Sequence, residues 1–389
     1  MNEFKHLSPV QAASAADSVY LAKDQQHIGR IFSLSEVAGD FDFDDVSSQR
    51  VQARSGAFQF KSKTGFGVIA KGTGEFAGDA IIACRGTASL YDGLTDMNMG
   101  VGNSITGKKV HAGFNRTFNG FADDIAEFLR IHKPNVVHCV GHSLGGALAT
   151  LSADFVVNKG RKAALYTFGC PRVGFTDLAH SLSLNANIGV KNIHRVFHSG
   201  DPVSMVPLWP FVHAPQPLGE CYIGKSLDFN PFQHKMDNYI KSVASHDSWS
   251  TLRHPQPNWD SHMDQWLNSG NAGKYFGLNL FNLTMLIKAV NLVVQDTIRM
   301  GFTCVGMAGI AGATMLDGLS QILDKAAQIT VEADGMIMNL MQRILSMLGV
   351  TIQKGQKLTH AFIRFVLEKL TLAINRGVMM SMMMVASAI

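Results

Sequence analysis

The sequence predicts an α/β fold over its first 270 residues, a mostly parallel sheet covered by helices on both faces, plus a C-terminal all-helical region over residues 271–389. Three observations predict it. Short apolar runs bounded by glycine alternate with segments of helical spacing, the pattern of repeated βα units. That alternation stops near residue 270, in "LNSGNAGKYFG", a stretch rich in turn formers. Charge and methionine divide at the same place: residues 1–270 hold 24 Lys+Arg against 24 Asp+Glu, whereas residues 271–389 hold 10 against 6 and carry 13 of the 19 methionines.

The elements follow in order. "GFGVIAKG" (65–72) and "DAIIACRG" (79–86) read as buried strands. In "FNGFADDIAEFLRIHKP" the apolar residues Phe118, Phe121, Ile125 and Phe128 keep helical spacing, and Pro134 ends the helix. "NVVHCVG" (135–141) is the next strand. "LGGALATLSADFVV" (144–157) then sets Leu144, Leu148, Leu151 and Phe155 on one helical face. "AALYTFG" and "NIHRVFHS" complete the strands of a mostly parallel sheet. Beyond residue 270, "FNLTMLIKAVNLVVQDTIR" is an apolar helix with a narrow polar stripe at Thr284, Lys288, Asn291, Gln295 and Arg299. Residues 300–316 run without a charge, 17 residues at the short end of a bilayer span.

Bulk composition narrows the function. Hydrophobic residues make up 46% of the 389 and charged residues only 16%, so a large core is available with apolar surface to spare. A net charge of +4, without a Lys/Arg run interleaved with aromatics, argues against a nucleic-acid partner. Five scattered cysteines without CxxC spacing read as buried thiols rather than a disulfide framework or a zinc site. The first twenty residues show no basic segment followed by an apolar one, so no signal peptide is expected.

Chemistry concentrates in "VGHSLGGALAT" (140–150), where Gly141-His142-Ser143-Leu144-Gly145 fits G-x-S-x-G. The motif alone is weak, but here it follows a strand and opens a helix, the setting of a nucleophile elbow. Such a turn lifts the Ser143 hydroxyl clear of the backbone and aims a helix N-terminus at a developing oxyanion. A serine nucleophile needs a base, and the base an orienting carboxylate. Asp201, in "HSGDPVSMVP", directly follows a strand and so lies at the sheet edge where ligand and catalytic groups collect.

Five blocks in order, "CRGT" (84–87), "VHAGF" (110–114), "GHSLGGALA" (141–149), "YTFGCPRVG" (166–174) and "GDPVSMVP" (200–207), make the first 270 residues resemble a class 3 lipase. The resemblance covers roughly residues 65–245 and implies an α/β-hydrolase fold. It also implies Ser143 as nucleophile, Asp201 as triad acid, and an oxyanion hole of Thr87 with the backbone N–H of Leu144. Three histidines are candidates for the base. His234, in "HKMDNYI", resembles the family's His-x-Met-x-x-Tyr pattern, His262 in "SHMDQWL" is a looser match, and His246 in "HDSW" is third. His142 is expected to pack away from the nucleophile and His111 to buttress the site. Residues 88–96, "ASLYDGLTD", fall where the family often carries a mobile lid and are poor in aromatics.

The activity implied is hydrolysis of carboxylic esters of lipids, as a lipase or phospholipase A, through an acyl-enzyme and without metal or cofactor. The C-terminal region reads either as a helical cap filled by flexible methionines or as a membrane-engaging segment. A lipase joined to such a region also resembles the lipase effectors that bacteria deliver by the type VI secretion system. That likeness implies a protein cytoplasmic in its producer and exported to a target membrane or periplasm, with an immunity protein and secretion machinery as partners. The alternatives are a membrane-inserting toxin whose C-terminal helices act on the bilayer, and an idle hydrolase used as a binding module.

Overall fold

A computed structural model describes residues 5–22, 35–43, 49–55, 62–86, 100–208, 210–215, 221–223, 229–252, 266, 278, 280–299, 315–352 and 355–386. Its strands are β1 (Phe41–Asp42), β2 (Gln49–Ser55), β3 (Ser62–Gly72), β4 (Ala80–Cys84), β5 (Val101–Asn103), β6 (Lys109–His111), β7 (Val136–His142), β8 (Lys162–Phe168), β9 (Ile193–His198) and β10 (Cys221–Ile223). Eight of them form one sheet in the order β1-β3-β4-β7-β8-β9-β10, with β2 also paired to β3. The pairs from β4 through β7, β8 and β9 to β10 are parallel, and β1, β2 and β4 meet β3 antiparallel. β5 and β6 make a separate antiparallel ribbon. The α/β class and the mostly parallel sheet expected from the sequence are therefore present, with β1, β2, β5, β6 and β10 added.

Strands at the centre of a parallel sheet are covered on both faces, which is why β4 and β7 are apolar runs buried throughout. Alternate side chains feed two apolar layers. Ala80, Ile82, Cys84, Val137 and Cys139 join one, and Ile81, Ala83, Val140, Tyr166 and Phe168 join the other. On the second face lies α1 (Pro9–Ser18), begun by a capping box in which Ser8 and Gln11 exchange hydrogen bonds of 3.1 and 2.8 Å. The described thiols of Cys84, Cys139 and Cys170 are free and buried, and burial pushes those of Cys84 and Cys170 up to about 12, the state of inert core residues.

Two helices depart from the sequence reading. The segment read as one helix near Phe118 is two, α2 (Ala112–Asn119) and α3 (Ala122–His132), because the chain leaves helical geometry at Phe121 (φ −137°, ψ 6°). Lys133, at φ 46°, ends α3 ahead of Pro134. α4 (Leu144–Asn158) has no single apolar face, being buried all round from Leu144 to Val157. Small residues at 145, 146, 147 and 149 admit close neighbours, and its buried hydroxyls are satisfied within the helix. Thr150 donates to the Gly146 carbonyl at 2.8 Å and Ser152 to that of Leu148 at 2.9 Å.

α5 (Thr176–Leu184), α6 (Met236–Val243) and the short α7 (Trp249–Leu252) complete the first part. The C-terminal part is helical where described: α8 (Leu280–Arg299), α9 (Met315–Ala327), α10 (Val331–Met347) and α11 (His360–Ala386). The boundary expected near residue 270 and most of the uncharged run (300–314) lie outside the described residues. Among the described residues no helix is long and apolar enough to cross a membrane.

The apolar core is continuous between the two parts. Leu283, Leu340, Ile374, Val378 and Met382 cluster with Leu144, Val203 and Met205. α8 and α11 pack on the single helical turn Val203–Met205, and α11 also packs on the turn Pro231–His234. Ile374 is 1% exposed and Leu372, two residues earlier, is 50% exposed. Ile374→Ala is expected to cost about 2–5 kcal/mol of stability. Leu372→Ala should cost about 0.5 kcal/mol or less. Urea unfolding midpoints of the two variants check this, and equal shifts would contradict the packing of α11.

Candidate active site

Ser143 sits between the end of β7 and the start of α4 at φ 57°, ψ −130°, a conformation that L-residues avoid. The surroundings hold it there. Its N–H donates to the Phe168 carbonyl on β8 and its own carbonyl accepts from Gly146, both at 2.9 Å. The flanking glycines are sterically required, since a Cβ on Gly141 would overlap the Gly145 carbonyl and one on Gly145 would overlap that of Cys84. The cost of such a backbone is of the order of 1–3 kcal/mol, so it survives only where packing over-determines it.

Asp201 follows β9 and His234 closes the turn Pro231–His234, which Asn230 caps by accepting from the Phe232 N–H. These loops bring the three residues into one row. His234 Nε2 lies 2.8 Å from Ser143 Oγ, and His234 Nδ1 lies 2.8 Å from Asp201 Oδ2. All three side chains are fully buried. A carboxylate only accepts, so Nδ1 carries the imidazole proton and Nε2 accepts from the serine hydroxyl.

Asp201 is a charge without solvent. Burial raises its pKa, but the His234 ring beside it, the Tyr239 hydroxyl and the Val203 N–H outweigh that and hold the carboxyl below its usual range. Tyr239 donates to Oδ2 at 2.6 Å and Val203 to Oδ1 at 2.9 Å. The Tyr239 ring is fixed in turn by His198, stacked 4.1 Å away at 10°. Gly169, at φ 55° after β8, completes this corner, because a Cβ there would stand 2.8 Å from Asp201 Oδ2 and 3.1 Å from His234 Nδ1.

His142 does not face the serine. Its Nε2 lies 2.8 Å from the His234 carbonyl and its Nδ1 2.8 Å from the Tyr20 hydroxyl. A carbonyl only accepts, so Nε2 donates and Nδ1 accepts from the tyrosine. His142 thereby holds the backbone of His234. His111 is buried against Phe114 and Phe211, at ring distances of 4.4 and 5.7 Å. His246 bonds Thr251 Oγ1 at 2.9 Å and takes no part in the row.

Leu144 opens α4, so its N–H belongs to the first turn, whose donors have no partner within the helix. Thr87, His262 and the stretch 88–96 lie outside the described residues. Among those described, no group of three or more His, Cys, Asp or Glu side chains is arranged to hold a metal. Sequence reasoning assigned no role to Tyr239, Gly169 or Tyr20. Tyr239 stood in the "HKMDNYI" pattern and Gly169 in "YTFGCPRVG", so the motifs carried two of them. Tyr20 left no signal, since only the fold brings it to residue 142.

The His142 pairing has a pH consequence. Burial, and then the neighbouring His234, push the His142 pKa from 6.5 down to about 3. Between those values the unfolded chain carries a proton there that the folded chain does not. Stability therefore rises with pH across that window, by up to about 1.4 kcal/mol per pH unit from this group. Acidification below pH 6.5 is expected to lower the urea midpoint, and the slope should be shallower in His142→Gln. Identical slopes in the two proteins would contradict a neutral, buried His142.

Residues 81–211 match the family model Lipase (class 3). A secreted mono- and diacylglycerol lipase of Fusarium solani is 31% identical over 152 residues, 38% of this chain and 44% of that protein. A lipase of Rhizopus niveus is 33% identical over 172 residues, 41% of this chain and 38% of that one. Toxin TseL of Vibrio cholerae is 24% identical over 255 residues, 64% of this chain and 36% of the toxin. The chain spans less than half the length of these curated relatives. Among solved structures, the mono- and diacylglycerol lipase of Aspergillus oryzae gives a TM-score of 0.40 at 24% identity, over 57% of this chain and 78% of that one. The match to the class 3 lipase model spans the segment that carries Ser143 and Asp201, in agreement with the ordered sequence blocks.

Proposed function

We propose that the protein is a serine hydrolase that cleaves carboxylic esters of lipids. The observation that carries this reading is the unbroken row from Asp201 through His234 to Ser143, with the serine on a strained turn at a helix N-terminus. In the reaction His234 Nε2 takes the Ser143 proton as Oγ attacks the ester carbonyl. The imidazolium that forms is stabilised by Asp201, which stays ionised because its lone pairs already face three donors. The oxyanion meets the N–H of Leu144, and the resemblance to class 3 lipases implies Thr87 as the second donor, each such donor lowering the barrier by about 3 kcal/mol. His234 then protonates the leaving alcohol. A water deprotonated by the same nitrogen hydrolyses the acyl-enzyme and returns the proton to Ser143.

Two considerations support a lipid ester over a small polar one. The serine is fully buried, with Leu144 next in the chain and the Met382 sulfur 3.6 Å from its Oγ, and both belong to an apolar core that also holds Val203 and Met205. The relatives named above include two lipases. A finer reading, that the substrate is a membrane phospholipid of a competing cell, draws on the toxin of Vibrio cholerae, whose match spans more of this chain than the two lipases described. On that reading the protein is made in the cytoplasm, exported by a specialised machinery and neutralised in its producer by an immunity protein. Expression directed to the periplasm of a test bacterium should arrest growth and release lysophospholipid, with no effect from the Ser143→Ala form. Arrest or liposome leakage by Ser143→Ala would favour the membrane-inserting toxin instead.

Ser143→Ala is expected to lower ester hydrolysis by several powers of ten while leaving the unfolding transition in place. His234→Ala should match it, and His262→Ala should keep most activity. Product analysis by mass on defined lipids, with nitrophenyl butyrate as a soluble reference, reads these outcomes. More than a few per cent of residual activity in Ser143→Ala would overturn the nucleophile.

Tyr239→Phe keeps the ring on His198 and removes one donor from Asp201. A hydrogen bond to a charged group contributes about 1.5–3 kcal/mol, so kcat is expected to fall roughly tenfold to a hundredfold with KM little changed. An unchanged kcat would show that Val203 and His234 suffice to hold the carboxylate.

A further inference from the structure

α11 reaches the site with its last turns. The sulfur of Met382 lies 3.6 Å from Ser143 Oγ. The serine has one proton, and the imidazole nitrogen at 2.8 Å is the stronger acceptor, so the thioether is a neighbour in the place an ester must occupy. Ser381 donates to the Pro231 carbonyl at 3.1 Å, on the turn that ends in His234. Phe229 packs against the bare backbone of Gly377, where any Cβ would overlap its ring. The first turns of the helix are tied elsewhere, by Arg364 to Asp317 at 3.1 Å and by His360 to Ser320 at 3.1 Å.

The same turns have a second apolar face. Met379, Met380 and Met383 point outward, the last 65% exposed, and Leu372 continues the stripe two turns earlier. The charged residue on this half of the helix is Arg376, which is exposed, and no acidic residue follows Glu368. An outward face of methionine and leucine with cationic charge and no acid suits the boundary of an anionic lipid surface.

We propose that residues 377–383 are a built-in plug, with Met382 seated against Ser143 in place of substrate, and that an anionic lipid surface draws the plug away by its outer methionine face. The proposal rests on Ser143 as nucleophile and adds what controls access to it. Methionine suits the inner role because its unbranched, flexible side chain fills an acyl-shaped space without a strong hydrogen bond to hold it there.

The test follows covalent labelling of Ser143 in the full chain by a small fluorophosphonate, which needs no natural substrate. Wild type should label slowly in buffer, at least tenfold faster with phosphatidylglycerol vesicles, and at the buffer rate with phosphatidylcholine vesicles. Met382→Ala should label at the fast rate without vesicles. The double change Met379→Glu with Met383→Glu, made wholly on the outer face, should keep the slow rate in buffer and lose the vesicle response. Fast labelling of wild type in buffer, or a Met382→Ala rate equal to a slow wild type, overturns the plug while leaving the nucleophile in place. Equal acceleration by both lipids, or an unimpaired response in the double variant, overturns the outer face as the sensor. Absence of labelling in every protein, Met382→Ala included, overturns the nucleophile and the plug together.

Discussion

A carboxylate fully removed from water is stable only where protein donors replace the water it has lost. Asp201 is such a group, and much of the local architecture follows from satisfying it. One oxygen takes the Val203 N–H from the turn after β9, and the other takes His234 and Tyr239 from two successive elements. Those donors converge only because Gly169 leaves no side chain between them, which explains a left-handed glycine at the end of β8. The result is an anion whose position is fixed by three bonds and whose remaining freedom is small. An imidazole bonded to it has one tautomer and one orientation, and so presents Nε2 to the serine.

Around this charge the fold keeps its other ionisable groups neutral. His142 and His198 both have pKa values lowered by burial, and each donates one ring N–H to a backbone carbonyl, of His234 and Gln233 respectively. Neutral rings of this kind work as rigid struts. They fix the backbone of the turn Pro231–His234 without adding positive charge that would compete with His234 for Asp201. The arrangement also explains why the parallel part of the sheet matters. β7, β8 and β9 end at one edge, and Ser143, Gly169 and Asp201 come from those three ends in chain order.

How much of this was legible depended on whether a feature is local. The alternation of buried strands and helices is written in short windows, so β3, β4, β7, β8, β9, α4 and α8 could all be read. The strained turn at Ser143 is local too, since glycines at 141 and 145 are required by contacts within the turn or with the adjacent strand. The break at Phe121 was not legible because the apolar spacing carries on across it. α4 read as amphipathic because sequence shows the polarity of Thr150 and Ser152 but not that their hydroxyls bond back to Gly146 and Leu148. Tyr20 and Met382 are 123 positions before and 239 positions after Ser143 in the chain, and nothing short of the tertiary fold places either beside it.

The methionine bias of the C-terminal end takes on a physical sense in that setting. A cap that only packed would be apolar inside and polar outside, and up to Arg376 α11 keeps charge on its outer face, where Arg364, Glu368, Lys369 and Arg376 are exposed beside Phe365 and Leu372. Beyond Gly377 the rule is dropped, and methionines stand on both faces. Exposed apolar area costs about 25 cal/mol per Å² in water, so an outer face of this kind is held at a loss unless some other surface covers it. The inner contact is apolar, since the Met382 sulfur lies 3.6 Å from Ser143 Oγ while the serine proton has a stronger acceptor in His234. Weak attachment within and unsatisfied surface without are the two properties that allow a helix end to exchange one apolar environment for another.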